Sequence, residues 1–298
     1  FVMLRSSGMP VYNFCCVIDD ALMKITHVFR AEEHLSNTLR QMMLYEAFNY
    51  AMPQFGHMSI ILGSDRQKLS KRHGATSCHE YNVSGYLPEA LNNFIALLGW
   101  SSPNAQEILS MKEMTEQFSP DRLNPAPAVF DEQKLAWVNA THLRALPAEE
   151  LWRRIEPYLK EAGLNLPADP EWRARALETF KTSMNNLKDS VELFRYVAEG
   201  AMPIQPEAKE VLDMPTTKAV LEAWKSGVAA SSDYMTEDQF NKLQDSIKDS
   251  QGVKGKQLFQ PIRVAVIGKP QGTELKMLVP LLHKRTLLQR ADEVLGKL

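Results

Sequence analysis

At 298 residues, with 44% apolar and 23% charged side chains, the chain has room for two or three domains, each with its own core. Lys and Arg total 34 against 36 Asp and Glu, a net charge of −2, which excludes attraction of nucleic acid by the whole surface and confines any such contact to local basic patches. No apolar run reaches membrane-spanning length and no signal peptide opens the chain, so the expectation is a cytoplasmic protein with no membrane partner.

Phe1 to Arg5 reads as an apolar strand, Ser6-Ser7-Gly8 as a turn, and Val11 to Ile18 as a second strand. That second run holds Cys15 and Cys16, which with the isolated Cys78 make neither a CxxC pair nor a disulfide framework and read as buried small hydrophobes. Asp19-Asp20 reads as a turn and Ile25 to Phe29 as a strand. Asn37 to Phe48 reads as a helix capped by Asn37, and Met58 to Leu62 as another strand. Strand, helix, strand is the order of a parallel nucleotide-binding sheet.

From about Tyr81 helices take over. Pro88 opens one with Leu91, Phe94, Ile95 and Leu98 on its apolar face; Ser110 with Glu113 forms a capping box; Asp131 caps the next, with Leu135 and Val138 inward. Pro147 precedes a helix stopped by Gly163, a linker runs from Leu164 to Pro170, and helices over Glu171 to Met184 and Leu187 to Ala198 end at Gly200. Five or six short helices follow, one capped by Thr236 with Gln239 and one opening at Thr273. No HExxH or paired histidine spacing argues for a metal or zinc site, and the 14 methionines read as core filler.

The densest basic patch is Lys68-Leu69-Ser70-Lys71-Arg72-His73-Gly74, just after the apolar run Met58 to Gly63. Two lysines flanking a small serine at a strand end suit a phosphate clamp: the ammoniums act as point charges, the hydroxyl adds a donor, and Gly63 and Gly74 serve as hinges. The bland alternative is a solvated basic turn, since such a tetrad arises by chance in roughly one chain of this size in a hundred.

This heptad, KLSKRHG, resembles the KMSKS signature of class I aminoacyl-tRNA synthetases in its glutamyl form. Residues 8–48, from GMPVYNF through VFRAEEH to MMLYEAF, resemble that family's second catalytic stretch, and residues 85–101, GYLPEALNNFIALLGWS, its tRNA stem-contact helix. The resemblance to bacterial-type glutamyl-tRNA synthetases implies a mainly α chain in three parts. Residues 1–65 would be the second half of a Rossmann-like α/β catalytic domain, 66–147 the KMSKS-type loop and stem-contact domain, and 148–298 an all-α anticodon-binding region with a sub-boundary near 200. Such a chain would be the C-terminal three-fifths of the enzyme, without its HIGH signature, and inactive alone.

The resemblance also assigns residues. Tyr12, Asn13, Cys16 and Arg30 would bind glutamate, and Glu33, Ile61, Lys68, Leu69, Ser70, Lys71 and Arg72 would bind ATP, with Lys68, Ser70 and Lys71 catalytic and His34 a neighbour of the adenine. From the residue alone, Arg30 could equally be a surface arginine; a buried guanidinium is what could grip a carboxylate bidentately. ATP and Mg²⁺ are then implied, with glutamate attacking the α-phosphorus and the acyl group passing to tRNA(Glu). No β-barrels replace the helical half, which sets the chain apart from glutaminyl enzymes. Lys181, Lys188, Arg195, Lys254 and Lys256 are candidate RNA contacts by charge and position. Ser183 stands at or near a position where some members carry an anticodon-reading arginine, which leaves tRNA(Gln) open as a second substrate. A monomer is expected, and a non-catalytic tRNA-binding chain is the alternative.

Overall fold

Helix α1 (Tyr12–Leu22) occupies the run expected as a second strand, and Asp19-Asp20 lies inside it rather than in a turn. The continuous apolar stretch hid its period: Asn13 and Val17 are buried, and Phe14 and Ala21 pack beside them, which is helical spacing. Before it, Phe1 to Arg5 forms no strand beyond a single bridge from Leu4 to Pro10, closed over the Ser6-Ser7-Gly8 turn where Gly8 takes φ +80°. The computed structural model describes residues 1–70 and 77–298, so Lys71, Arg72, His73 and Gly74 lie outside the described residues.

A βαβ unit follows. Strand β1 (His27–Ala31) pairs in parallel with β2 (Gln54–Met58), the crossover being α2 (Leu35–Ala47). A 3₁₀ turn, Glu32–His34, feeds α2, so Asn37 sits in its first turn rather than capping it. The expected strand at Met58 to Leu62 is split, β2 ending at Met58 and a two-residue strand β3 (Ile61–Leu62) pairing with β4 (Ala128–Val129), also in parallel. Val17 of α1, Leu44 and Tyr45 of α2 make the core beneath the β1–β2 pair, with Phe55 against it.

Helices fill the rest of this first unit, Phe1–Asn139. They are α3 (Cys78–Val83), α4 (Pro88–Leu97), α5 (Met111–Gln117) and α6 (Glu132–Ala145), which continues past Asn139. The caps are those read from sequence: Pro88 at the start of α4, the Ser110–Glu113 box on α5, and Asp131 accepting from the backbone N–H groups of Gln133 and Lys134.

The second unit, Ala140–Leu298, is helical throughout its described elements. Helix α7 (Ala148–Glu161) packs on α8 (Pro170–Phe180) and α9 (Asp189–Arg195). Then come α10 (Lys209–Leu212), α11 (Thr217–Ala229), α12 (Glu237–Gln251), α13 (Lys256–Ile267), α14 (Leu275–Leu278) and α15 (Lys284–Leu295), with α11 packed on α12, α13 and α15. The helix expected at Thr273 opens two residues later, and the Thr273 carbonyl accepts from the Arg263 guanidinium. Trp224 of α11 is fully buried edge-on against Phe240 of α12, and Trp172 Nε1 donates to the Leu281 carbonyl at 2.8 Å.

Candidate active site

Parallel strands place their carboxyl ends side by side, and ligands of such sheets bind there. In this chain the ends of β1 and β2, with β3 and α4, border a cleft of about 440 Å³ lined by Arg30, Glu33, Ser59, Ile61, Lys68 and Ile95 among others. Ile61 and Lys68 come together through a tight reversal: the Leu69 amide donates to the Ile61 carbonyl at 2.9 Å and the Gly63 amide to the Gln67 carbonyl at 2.8 Å. Gly63 is buried in this turn.

Across the β1–β2 pair Arg30 stands opposite His57, and α2 lays Thr38 and Gln41, one turn apart and buried, over both. Arg30 Nη2 donates to Thr38 Oγ1 at 2.5 Å and to Gln41 Oε1 at 2.6 Å, and Nη1 donates to Tyr12 Oη at 3.2 Å. The guanidinium also lies 5.7 Å from the Phe55 ring centroid. Gln41 is itself oriented, its Nε2 donating to Asn13 Oδ1 at 3.1 Å. Thr38 Oγ1 donates to the His34 carbonyl and lies 2.8 Å from His57 Nε2.

Four residues expected to hold an amino acid therefore fall in one region: Tyr12, Asn13 and Arg30 share a hydrogen-bond network, and Cys16 sits one helical turn after Tyr12. Cys15 and Cys16 are only half-buried and Cys78 is exposed, so the three thiols are not core hydrophobes. Burial, then the charge of Asp20 and a 3.5 Å hydrogen bond to it, push the Cys16 thiol up, which keeps it protonated.

Of the ATP-site residues, Glu33, Ile61, Lys68 and Leu69 border the cleft, with Lys68 Nζ on Glu33 Oε2 at 2.6 Å. Ser70 is exposed at its edge in sequence and does not line it; Lys71 and Arg72 lie outside the described residues. The ring of His34 is 6.0 Å from that of Tyr12. In the second unit Lys188 and Arg195 are exposed, Arg195 lying 3.6 Å from Glu192, and Ser183 is exposed in a 3₁₀ turn. Lys181 is instead spent on structure, donating to the Leu146 carbonyl at 2.8 Å. Thr38, Gln41 and His57 were not singled out from sequence; the signal was there, in the Thr38, Gln41, Leu44, Tyr45 spacing that marks the inward face of α2.

Residues 1–137 match the family described as tRNA synthetases class I (E and Q), catalytic domain, and residues 150–295 match an anticodon binding domain. Residues 1–137 are thus similar to a class I tRNA synthetase catalytic domain and residues 150–295 to an anticodon-binding domain. It is 57% identical, over its whole length, to a glutamate–tRNA ligase of Bdellovibrio bacteriovorus, and 42% identical over 99% of its length to one of Pseudothermotoga lettingae. A crystal structure of a glutamate tRNA ligase from Elizabethkingia meningosepticum, in complex with its amino acid, superposes over the whole chain with a TM-score of 0.88 at 27% identity. The chain spans 61% of the length of both curated relatives and 62% of that crystallised chain. Helix is the dominant structure across both matched segments, as expected from the sequence.

Proposed function

We propose that this chain supplies the amino-acid site, part of the ATP site and the anticodon-binding region of a glutamate–tRNA ligase of its relatives' full length. The observation that carries the reading is Arg30, a half-buried guanidinium on the cleft wall, held by neutral oxygens beside the lysine-bearing turn. A cation so placed is suited to a carboxylate, with Tyr12, Asn13 and Cys16 around it. The Nη2 hydrogens are already spent on Thr38 and Gln41, so glutamate would meet Nη1 and the Tyr12 hydroxyl rather than a bidentate fork.

In this reading Glu33 and Ile61 receive the nucleoside of ATP, Lys68, Lys71 and Arg72 neutralise its phosphates and Ser70 adds a hydroxyl donor, while the glutamate carboxylate attacks the α-phosphorus and the bond to the bridging oxygen of the β-phosphate breaks, releasing pyrophosphate. Transfer of this kind is driven by positioning and charge neutralisation. Mg²⁺ would enter with ATP, on its phosphates. The divisions at 65, 147 and near 200, a monomeric state, a cytoplasmic location and tRNA(Glu) as partner belong to the same proposal. Lys188 and Arg195 would contact tRNA with Lys181 and Ser183 beside them.

A second reading is favoured by one residue. Ser183 cannot make the contacts of an arginine to an anticodon base, so a non-discriminating ligase that also charges tRNA(Gln) would carry this side chain. Glutamate-dependent exchange of pyrophosphate into ATP tests the main reading: the full-length protein should catalyse it and this chain alone should not. Exchange that depends on a different amino acid, or exchange by this chain alone, would overturn it.

A further inference from the structure

The Arg30 charge has no counter-ion among the described residues. Among the described residues no carboxylate lies within ion-pair distance of it, and its three hydrogen-bond acceptors are a threonine hydroxyl, a glutamine carbonyl and a tyrosine hydroxyl. A half-buried cation normally acquires a carboxylate neighbour, because burial penalises an unpaired charge. Here the two closest contacts are instead supplied by side chains that are themselves buried and oriented by further bonds.

The orientations follow from the chemistry of the groups. A guanidinium offers only donors, so Gln41 must turn its carbonyl toward Arg30 and its amide nitrogen toward Asn13, as found. Thr38 gives its hydrogen to the His34 carbonyl at 3.2 Å, so its lone pairs are left for Arg30 and for His57 Nε2, which in this arrangement is the donor. Neither Thr38 nor Gln41 lines the cleft. Both hydrogens of Nη2 are consumed behind the guanidinium, Nε is buried without a partner among the described residues, and Nη1 is the edge left beside Tyr12.

We infer that Thr38 and Gln41, backed by His57 and Asn13, are positioning residues that fix Arg30 through neutral acceptors only, so that its whole charge is reserved for the carboxylate of the substrate. The inference rests on the reading of Arg30 given above and adds to it residues that do not themselves touch the ligand. Its sharpest consequence concerns Gln41→Glu. That replacement keeps the size and the oxygen facing Arg30 and loses the Nε2 donor to Asn13, a loss it shares with Gln41→Leu, so a purely structural role predicts an effect no larger than that of Gln41→Leu. A reserved charge predicts the opposite, since the new carboxylate occupies the cation in place of substrate.

The test is steady-state pyrophosphate exchange by the full-length protein with glutamate varied, beside a thermal unfolding curve for each variant. Gln41→Glu should raise KM for glutamate by about tenfold or more with kcat changed far less and Tm held, the pattern of lost ground-state binding. Gln41→Leu and Thr38→Val should also raise KM, by a smaller factor, and Thr38→Ser, which restores the hydroxyl, should return it to the parent value. Arg30→Met separates the two claims. If it raises KM while Gln41→Glu leaves KM within about twofold of the parent, the positioning inference is overturned and the reading of Arg30 stands. If Arg30→Met leaves KM unchanged, both fall.

Discussion

Lys68 and Glu33 hold one another across the cleft wall at 2.6 Å, each at least half exposed, and both are expected to face ATP. The hydrogen bond from Lys68, then its charge, keep the Glu33 carboxyl below the usual carboxylate range. In the proposed reading nucleotide would part the pair, drawing the ammonium to phosphate and freeing the carboxylate to accept from ribose hydroxyls. The sign of the linkage is set by a depressed folded pKa: the pair contributes above the unfolded carboxylate value and is lost as pH falls through the folded one. Lys68→Ala should raise the Glu33 titration, followed by carboxyl carbon NMR, toward the ordinary carboxylate range, and in the full-length protein should slow adenylate formation by about one to three decades. Unchanged adenylation would leave Lys68 a solvated basic residue. Arg30, Tyr12 and Asn13 were legible because they sit in a recognisable motif. Thr38, Gln41 and His57 were not, since a buried polar residue on an amphipathic helix looks like a lapse in the apolar stripe until its partners across the sheet are seen.

At the scale of elements, caps and breakers were readable and apolar runs were not. Ser110, Thr236 and Pro88 act where their chemistry says they should, because a cap is a local interaction. The stretch from Val11 to Ile18 could be strand or helix by hydropathy, and α1 prevails because its Val17 meets Leu44 and Tyr45 from α2, a contact set by tertiary packing. Three features of the second unit carry predictions. Gly268 ends α13 at φ +76°, where an added Cβ would strike the Pro203 carbonyl oxygen and the Gly268 carbonyl already accepts from the Gln205 amide at 2.9 Å. Gly268→Ala should cost about 2 kcal/mol or more in denaturant unfolding, combining backbone strain with a collision against main chain.

Arg290 of α15 is 2% exposed and donates to the carbonyls of Tyr196, Ala198, Gly200 and Val266 at 2.6 to 2.9 Å. Burial pulls its guanidinium down to about 10, still far above neutrality, so it folds as a cation tying the end of α9 to α13. Arg290→Met, which strands four acceptors, should lower stability by about 3 kcal/mol or more by the same measurement. In α7 Glu150 is gripped by Arg153 and Arg154 at 2.6 to 2.8 Å, which hold its carboxyl down to about 2. Its contribution is present above the ordinary 4.5 and fades as pH falls toward 2, so the Tm difference between the parent chain and Glu150→Gln should shrink over that interval. A difference that grows on acidification would reverse the assignment.

For the whole molecule, a balanced total of 34 basic and 36 acidic residues means that RNA must be met by a patch and not by net charge. Binding of labelled tRNA(Glu) to this chain should weaken steeply with salt, because each phosphate contact by Lys or Arg releases condensed counterions; binding that is flat with salt, or absent at low salt, would refute an RNA-binding role for the helical half. The division of the described residues after Asn139 was not legible in the sequence, because a boundary inside the continuous helix α6 leaves no proline, glycine or charge run to mark it. The most direct test of the account is charging of purified tRNA(Glu) with labelled glutamate by the full-length protein, run beside its Arg30→Met variant. The account predicts acid-precipitable glutamate on the tRNA with the parent protein and a loss of at least about tenfold in kcat/KM for glutamate with the variant; equal charging by both, or none by the parent, would contradict it.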